Sequence, residues 1–175
     1  MIKFIHLKNK TSHYLKLKKW LNEPEILKFY EGEDTNFTYH KIKTKFKAKI
    51  VDKNITALCI ALENKKIGYL QFYQLDQKTK NILNYNRASL VIGFDLFLSK
   101  KYQNQGLGKK VILSFIEYLF LNNIVYNKLI VDPLSKNIIA IKCYKACNFA
   151  PIKLIKNYQL HNGILEDTLF LELQK

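Results

Sequence analysis

The segment from residue 88 to residue 123 joins two apolar runs of different period through a loop that contains two glycines. Apolar residues dominate from Ala88 to Leu98, which is typical of a buried strand. After Gly108 the apolar residues recur at helical spacing as far as Asn122-Asn123. A strand that leads through a short loop into a helix is a basic unit of α/β folds, so this feature favours that class.

The loop itself, Gln103-Asn104-Gln105-Gly106-Leu107-Gly108-Lys109-Lys110, suits an anionic ligand. Two glycines in three residues let a ligand approach the backbone, and the free N–H groups of a helix start point at it. The two lysines lie in the first helical turn, where the helix dipole disfavours cations, and a bound phosphate would relieve that conflict. A plain glycine turn with solvated lysines is the alternative that this motif alone leaves open.

The other segments predict further strands and helices around this unit. Residues 39–50 fit both a strand and a helical stripe, and we predict a helix there. The predicted strands are residues 2–7, 55–63, 66–75, 88–98, 128–131, 149–155 and 168–173, and the predicted helices are residues 11–23, 24–29, 39–50, the stretch after Gly108, and 137–146. No repeat or linker interrupts the order, so we expect one domain over residues 1–175, with helices on a mixed sheet.

The charge of the chain is strongly positive, with 29 basic and 14 acidic residues and a formal net charge of +15. Such a charge can indicate a nucleic-acid or membrane partner. However, Arg87 is the only arginine, although the guanidinium fork is what proteins usually place against phosphates. The lysines are spread along the whole sequence, so we expect neither a nucleic-acid surface nor a membrane partner.

Three cysteines, Cys59, Cys143 and Cys147, bear on the compartment and on metals. Their number is odd and no C-x2-C ligand spacing is present, so we expect free thiols in a reducing compartment and no metal. The N-terminus does not read as a signal peptide, and no apolar run approaches the ~20 residues that span a bilayer. We therefore expect a cytoplasmic protein, either a monomer or a homodimer.

Asp95 interrupts an otherwise apolar strand, Leu90 to Leu98. An unpaired carboxylate would be costly to bury there. Gly93, two residues earlier, indicates a bulge or a close backbone approach, either of which can turn a side chain into a cleft. A carboxylate in that position can bind an ammonium group and then accept its proton. The alternative is a structural aspartate that accepts backbone hydrogen bonds.

The Gln-x-x-Gly-x-Gly loop, together with segments on both sides of it, resembles the GNAT superfamily of acetyl-CoA-dependent N-acetyltransferases. The resemblance is narrower to the aminoglycoside 6'-N-acetyltransferases and spans nearly the whole chain. It is carried by Trp20-Leu21, Phe29-Tyr30-Glu31-Gly32, Gly68-Tyr69, Gly93-Phe94-Asp95, Asp132-Pro133 with Asn137 and Ala140-Ile141, Tyr144 to Phe149, and Glu166-Asp167. It implies a mixed, mostly antiparallel sheet with splayed central parallel strands and with helices on both faces.

The resemblance also implies roles for individual residues. The cofactor-binding residues would be Gln103, Asn104, Gln105, Gly106, Leu107, Gly108, Lys109, Lys110 and Asn137. Among them, the backbone amides of Gln105 to Lys109 would hold the pyrophosphate of acetyl-CoA, and Asn137 would bind its pantetheine arm. Asp95 and Tyr144 would be catalytic, with Tyr144 protonating the leaving thiolate. The substrate-binding residues would be Asp95, Asp132, Tyr30, Glu33, Asp34, Glu166 and Asp167. From the sequence alone, Asp132 is equally well a helix-entry residue before Pro133.

Three functions from different classes remain. The first is acetyl transfer to the 6'-amine of aminoglycosides, by direct attack in a ternary complex. The second is acyl transfer to another amine, such as a siderophore precursor, a polyamine or a protein N-terminus. The third is non-catalytic binding of acyl-CoA or nucleic acid. The loop, Asp95 and Tyr144 together favour an enzyme over the third.

Overall fold

A computed structural model describes residues 1–30 and 36–174. The strands in these residues are β1 (Ile2–His6), β2 (Ile55–Leu62), β3 (Lys65–Gln74), β4 (Val91–Leu98), β5 (Lys128–Val131), β6 (Ala150–His161) and β7 (Ile164–Gln174). The helices are α1 (Thr11–Trp20), α2 (Pro24–Tyr30), α3 (Tyr39–Val51), α4 (Gln77–Ile82), α5 (Leu107–Leu121) and α6 (Ile138–Lys145).

The described strands form one sheet in the order β1-β2-β3-β4-β5-β7-β6. Neighbouring strands are antiparallel except for β4 and β5, which are parallel and pair only over Val91–Gly93 and Lys128–Ile130. Past that point β4 continues to Leu98, whereas β5 ends at Val131. The two central strands therefore separate, and the expected mixed sheet with splayed parallel strands is confirmed.

Helices cover both faces of the sheet because side chains alternate along each strand. On one face Val111 and Phe115 of α5 and Ile141 of α6 pack with Ile92 and Phe94. The other face carries a second cluster, in which α1, α2 and α3 contribute Leu17, Ile26 and Phe46, and β3 and β4 contribute Tyr69 and Phe97. Asp95 is two residues before Phe97, so it lies on the same face as this second cluster.

Residues 39–51 form α3, which confirms the helix over the strand. The Thr38 hydroxyl accepts a hydrogen bond from the Lys41 amide at 3.2 Å and caps the first turn. Ile42 and Phe46, four residues apart, are fully buried, while the lysines between them are exposed or half-buried. A strand would have placed these two residues on one face with Thr44, which is exposed.

Two elements differ from the sequence prediction. The short helix α4 was not predicted, although Asp76 caps it by accepting from the Thr79 amide at 2.8 Å. The β6–β7 hairpin is longer than predicted, with strands at 150–161 and 164–174 instead of 149–155 and 168–173. An irregularity between Ile155 and Gln159 breaks the pairing, and Leu160 and Ile164 beyond it are exposed, so this part of the hairpin lacks the usual alternation.

Candidate active site

A cavity of about 640 Å³ lies beside the end of β4, the loop that follows it and the start of α6. We call it the glycine-loop cavity, because Gly106 and Gly108 line it together with Gln103, Asn104 and Lys109. Asn104 and Gly106 adopt positive φ values of 57° and 70°. Backbone that passes through such left-handed residues forms concave groups of N–H donors that suit anions.

The donors of this loop are available to a ligand. Gly106 is the N-cap of α5 and has no side chain to cap the helix. Within residues 1–30 and 36–174, no backbone carbonyl accepts a hydrogen bond from the amides of residues 104–109. Gln103 Nε2 donates to the Leu98 carbonyl and Gln105 Nε2 donates to the Lys101 carbonyl, both at 2.7 Å, so the side chains fix the loop while its amides stay open.

Charge and shape in this cavity also fit a phosphorylated ligand. Lys28, Lys109 and Lys142 line it, and Glu25 forms an ion pair with Lys100. A Cβ at Gly108 would come within 2.9 Å of Cys143 Sγ, so a glycine is what lets α5 lie close to α6 at the cavity wall. Three residues of the predicted cofactor set do not line the cavity: Leu107 is buried in the core, and Gln105 and Lys110 lie outside the lining.

A smaller cavity, of about 220 Å³, lies where β4 and β5 separate. We call it the Asp95 cavity. The separation lets residues from both faces of the sheet meet there, with Asp95 and Gln71 from one face and Phe94 and Tyr144 from the other. Asp132, which directly follows β5, completes the acidic part of the lining. Two carboxylates that are 37 positions apart in sequence thus face one small volume.

Asp95 is held by a chain of hydrogen bonds that begins on α3. Gln71 is its register partner on β3 and donates from Nε2 to Asp95 Oδ2 at 2.6 Å. The Gln71 Oε1 atom accepts from the Tyr69 hydroxyl at 2.9 Å and from Lys49 Nζ at 2.6 Å. These two donors orient the Gln71 amide so that its nitrogen faces the carboxylate.

Electrostatics in the Asp95 cavity favour a bound cation. Burial, and then the negative charge of Asp95, raise the pKa of Asp132 well above its usual range. The phenol pKa of Tyr73 is raised by burial and then by the charges of Asp95 and Asp132. Gly93 leaves room for the ring of Tyr73, since a Cβ there would come within 2.6 Å of its Cε2 atom. The predicted close approach at Gly93 is therefore a ring contact, and β3 and β4 pair there without a bulge.

Tyr144 and Asn137 connect the acids to the neighbouring cavity. Tyr144 is buried between Phe94 and Phe149, and burial followed by the Asp95 charge raises its phenol pKa, so its proton is retained. Asn137 caps α6 by accepting from the Ala140 amide at 3.2 Å. Both cavities are lined by Asn137 and Ala140, and also by Phe29, Tyr30 and Leu96. The two cavities therefore adjoin along one wall.

Not every predicted substrate residue reaches this place. Glu166 pairs with Lys136, and the Asp167 carboxylate accepts from the Asn157 amide at 3.0 Å; neither lines the Asp95 cavity. Glu33 and Asp34 lie outside the described residues. The predicted contact of these four residues with a substrate stays a prediction.

Sequence reasoning missed Lys49 and Gln71, which line the Asp95 cavity, and also Tyr73, whose ring packs against Gly93 of β4. A signal for Gln71 was present, because it is a polar residue in the apolar stretch Gly68–Phe72, as Asp95 is in its own strand. Tyr73 is signalled only by its pairing with Gly93, which requires the strand register. Lys49 resembles the other lysines of α3, and nothing local distinguishes it.

The described residues hold neither a candidate metal cluster nor a membrane-spanning helix. No group of three or more His, Cys, Asp or Glu side chains there has the proximity that a metal ion needs. Among the same residues, no helix is both long enough and apolar enough to cross a membrane.

The family of the chain follows from comparison with known proteins. The family model described as "Acetyltransferase (GNAT) domain" matches residues 10–157, which include both cavities' central residues. The chain therefore belongs to the GNAT acetyltransferase family, as the sequence resemblance indicated. It is an acetyl-CoA-dependent N-acetyltransferase, and the glycine-loop cavity has the open amides and lysines that such a cosubstrate requires.

Two curated relatives are similar to this chain in sequence. The aminoglycoside N(6')-acetyltransferases type 1 of Klebsiella pneumoniae and of Serratia marcescens are each 28% identical to this chain over 148 residues. That alignment covers 83% of this chain and 73% of each relative.

Solved structures show the same fold. The acetyltransferase AAC(6')-Ib in complex with ribostamycin and coenzyme A has a TM-score of 0.78 at 20% identity, covering 99% of this chain and 93% of its own. A spermidine N-acetyltransferase from Vibrio cholerae, bound to CoA and spermine, has a TM-score of 0.76 at 15% identity, covering 99% and 95%. The fold alone therefore does not select the acceptor.

Proposed function

We propose that this enzyme transfers the acetyl group of acetyl-CoA to the 6'-amine of an aminoglycoside. The observation that carries the proposal is the meeting of Asp95 and Asp132 in one small cavity that adjoins the glycine-loop cavity. The sequence relatives named above act on the same class of acceptor and support the choice.

The acids provide a reason for the acceptor to be a cation. The raised pKa of Asp132 means that ionising both carboxylates is unfavourable when the cavity holds only water. A bound ammonium group offsets the negative charge of both and stabilises the ionised pair. Two nearby carboxylates thus favour an acceptor that carries at least one ammonium group.

The reaction then needs two protons to leave nitrogen, one before the attack and one after it, and one proton to be gained at sulfur. Acetyl-CoA, when bound, supplies a thioester whose carbonyl carbon is open to attack. Asp95 takes the first proton from the ammonium group, directly or through a water, and the free amine forms the new N–C bond as the C–S bond breaks. The second proton leaves the acetylated nitrogen to water, which gives the neutral amide. Tyr144 keeps its proton in the resting enzyme and donates it to the sulfur as thiolate charge develops.

Asn137 and the loop amides position the two substrates for this direct attack. The open amides of residues 104–109 bind the pyrophosphate, and Asn137, in the wall common to both cavities, contacts the pantetheine arm. Both substrates are bound at once, so most of the rate acceleration comes from holding the amine beside the thioester. We propose no covalent acetyl-enzyme.

The size of the Asp95 cavity favours one alternative acceptor class. At about 220 Å³ it is below the roughly 300–1,000 Å³ typical of pockets for drug-sized ligands. It would take one amine-bearing ring of an aminoglycoside, but it would equally take the end of a polyamine. The second candidate function is therefore acetyl transfer to a small linear amine.

A thiol-release assay with acetyl-CoA separates these functions. The acceptor panel contains kanamycin-type aminoglycosides, spermidine and a peptide with a free N-terminus, and mass spectrometry with NMR locates the acetyl group. We expect acetylation of an aminoglycoside at its 6'-amine, with kcat/KM at least tenfold above that for spermidine or the peptide. A preference for spermidine would select the second candidate, and no transfer to any amine would leave a non-catalytic binder.

A further inference from the structure

Lys49 is a cation in a cavity whose other charged lining residues, among those described, are Asp95 and Asp132. It extends from the last turn of α3, is half-buried, and places Nζ 2.6 Å from Gln71 Oε1. The ammonium also lies over the ring of Phe46, 5.6 Å from its centroid. Packing and hydrogen bonding therefore hold this group at the cavity wall.

Hydrogen-bond chemistry limits what a substrate can place beside Lys49. An ammonium group has three donors and no acceptor, so the substrate atom next to it must accept. Hydroxyl, ether and carboxylate oxygens meet that requirement. A second ammonium group of the substrate does not, because it too has donors only, and like charges in a half-buried cavity repel.

We propose that Lys49 makes the Asp95 cavity selective for acceptors in which the part that enters the cavity with the reacting amine carries an oxygen function and not a second ammonium group. This inference rests on the proposed function, since it concerns the acceptor of that reaction. Asp95 and Asp132 attract the reacting amine, and Lys49 favours an oxygen function over a second ammonium group elsewhere on the part of the acceptor that enters the cavity. On a sugar acceptor, Lys49 favours a hydroxyl over an amine as a further substituent of the ring that carries the reacting amine.

The position of Lys49 distinguishes it from the other lysines of α3. Lys47 is on the same helix, is exposed, and does not line the Asp95 cavity. Lys47→Met therefore removes the same charge from the molecule without changing the cavity. Lys49→Met removes the ammonium but keeps an unbranched stem, and Lys49→Arg keeps the charge and the donors.

The test compares two acceptors in each variant at saturating acetyl-CoA. Kanamycin A and kanamycin B differ by a hydroxyl against an amine on the ring that carries the 6'-amine. Replacing Lys49 also removes a donor to Gln71 and so alters turnover in general. The ratio of kcat/KM for the two acceptors cancels that general loss and reports selectivity alone.

We expect the wild type and Lys47→Met to favour the hydroxyl acceptor by on the order of tenfold, as one like charge at several ångströms implies. Lys49→Arg should keep most of the preference, and Lys49→Met should bring the ratio close to one. An identical ratio in wild type and Lys49→Met overturns the inference.

A second pair of acceptors separates this inference from the proposed function. Ethanolamine and ethylenediamine differ in the same way and are not aminoglycosides. If no aminoglycoside is acetylated but ethanolamine is preferred in a manner that depends on Lys49, the proposed function fails and the inference stands. If aminoglycosides are acetylated and the ratio ignores Lys49, the inference fails and the proposed function stands.

Discussion

The glycine-loop cavity and the Asp95 cavity share a wall but differ in charge and in construction. Among the described lining residues of the first, Lys28, Lys109 and Lys142 outnumber the single acid, Glu25. Among those of the second, two carboxylates face one lysine. The same chain, with a net charge of +15, therefore offers one cavity suited to an anion and another suited to a cation.

This contrast shows why net charge is a poor guide to the ligand of an individual site. Charge at long range is screened beyond about 8–10 Å at physiological ionic strength, whereas groups that contact the ligand are screened less. In the proposed function, Asp95 and Asp132 act on the acceptor at short range, and Lys109 and Lys142 do so on the cosubstrate. The surface lysines affect the approach of a ligand more than its final contacts.

The largest expected effect is the fall in kcat when the proton acceptor, Asp95, is removed. Asp95→Asn keeps the shape of the side chain and keeps an acceptor for Gln71, but it removes the base. We expect acetyl-CoA affinity to change by less than about twofold and kcat to fall by roughly two to four orders of magnitude, the range for a positioned acid or base. Initial rates of thiol release, with cosubstrate binding measured by calorimetry, check both parts.

Asp52→Asn is the matched control, because Asp52 is exposed at the end of α3 and does not line the Asp95 cavity. It should leave kcat within about threefold of wild type, as expected for a group that takes no part in proton transfer. Should Asp95→Asn also stay within threefold, Asp95 would be a structural residue and the two cavities would no longer differ in chemical role.

A smaller effect is expected in the glycine-loop cavity. Gly108→Val puts branched atoms where a single Cβ is already 2.9 Å from Cys143 Sγ, and it narrows the path to the open amides. Millimolar acetyl-CoA should raise the melting temperature of the wild type by mass action and should raise that of the variant much less. We expect affinity to fall at least tenfold, as for a ligand that loses its backbone contacts.

Leu113→Val, on an exposed position of the same helix, controls for the cost of a β-branched residue in α5. It should lower stability slightly and leave the acetyl-CoA shift intact. An unchanged shift in Gly108→Val would mean that the ligand does not bind at this loop. An additional Cys143→Ala substitution should restore part of the affinity if the clash with the sulfur is the cause.

The two cavities also differ in how far they could be predicted from sequence. The loop wall of the glycine-loop cavity comes from one contiguous stretch, so Gly106, Gly108 and their helix were predicted from local pattern alone. Asp95 was identified because a carboxylate is anomalous in an apolar strand.

The rest of the Asp95 cavity depends on pairing between distant segments. Gln71 faces Asp95 only through the register of β3 with β4, and Lys49 reaches it only because α3 packs across β3. Neither relation leaves a local mark on the sequence. Glu166 and Asp167 contact Lys136 and Asn157 and do not line the cavity, and their contact with a substrate stays a prediction.

A further prediction tests the electrostatics of Asp132 through stability. Because its pKa is raised in the folded protein, Asp132 binds a proton more tightly when folded than when unfolded. Its contribution to stability is therefore present at low pH and is lost as the pH rises from the ordinary carboxyl range through the raised value. Asp132→Asn should match the wild type near pH ~5 and should be a few degrees more stable near pH ~9.

Melting curves at these two pH values check the prediction, with Asp52→Asn at the exposed end of α3 as the control. The control should follow the wild type at both pH values. A bound aminoglycoside should reduce the difference in melting temperature between wild type and Asp132→Asn at high pH, because its ammonium groups stabilise the ionised carboxylate. A melting-temperature difference between wild type and Asp132→Asn that does not depend on pH would contradict the raised pKa of Asp132 and the repulsion between the two carboxylates.

The smallest expected effect is a difference in the salt dependence of the two ligands. Acetyl-CoA is an anion that approaches a strongly basic protein and then contacts lysines, so both long-range and short-range attraction weaken as salt is added. An aminoglycoside is a polycation that is repelled at long range and attracted only by the carboxylates it contacts. Raising the ionic strength from about 0.01 M to 0.15 M shortens the Debye length from about 30 Å to 8 Å and removes mainly the long-range term. Acetyl-CoA affinity should therefore fall by a few-fold, while aminoglycoside affinity should change less and its association rate should rise.

Stopped-flow and calorimetric measurements on the same enzyme at both salt concentrations provide the comparison. Parallel losses for the two ligands would show that the surface lysines, and not the local lining, determine binding in both cavities.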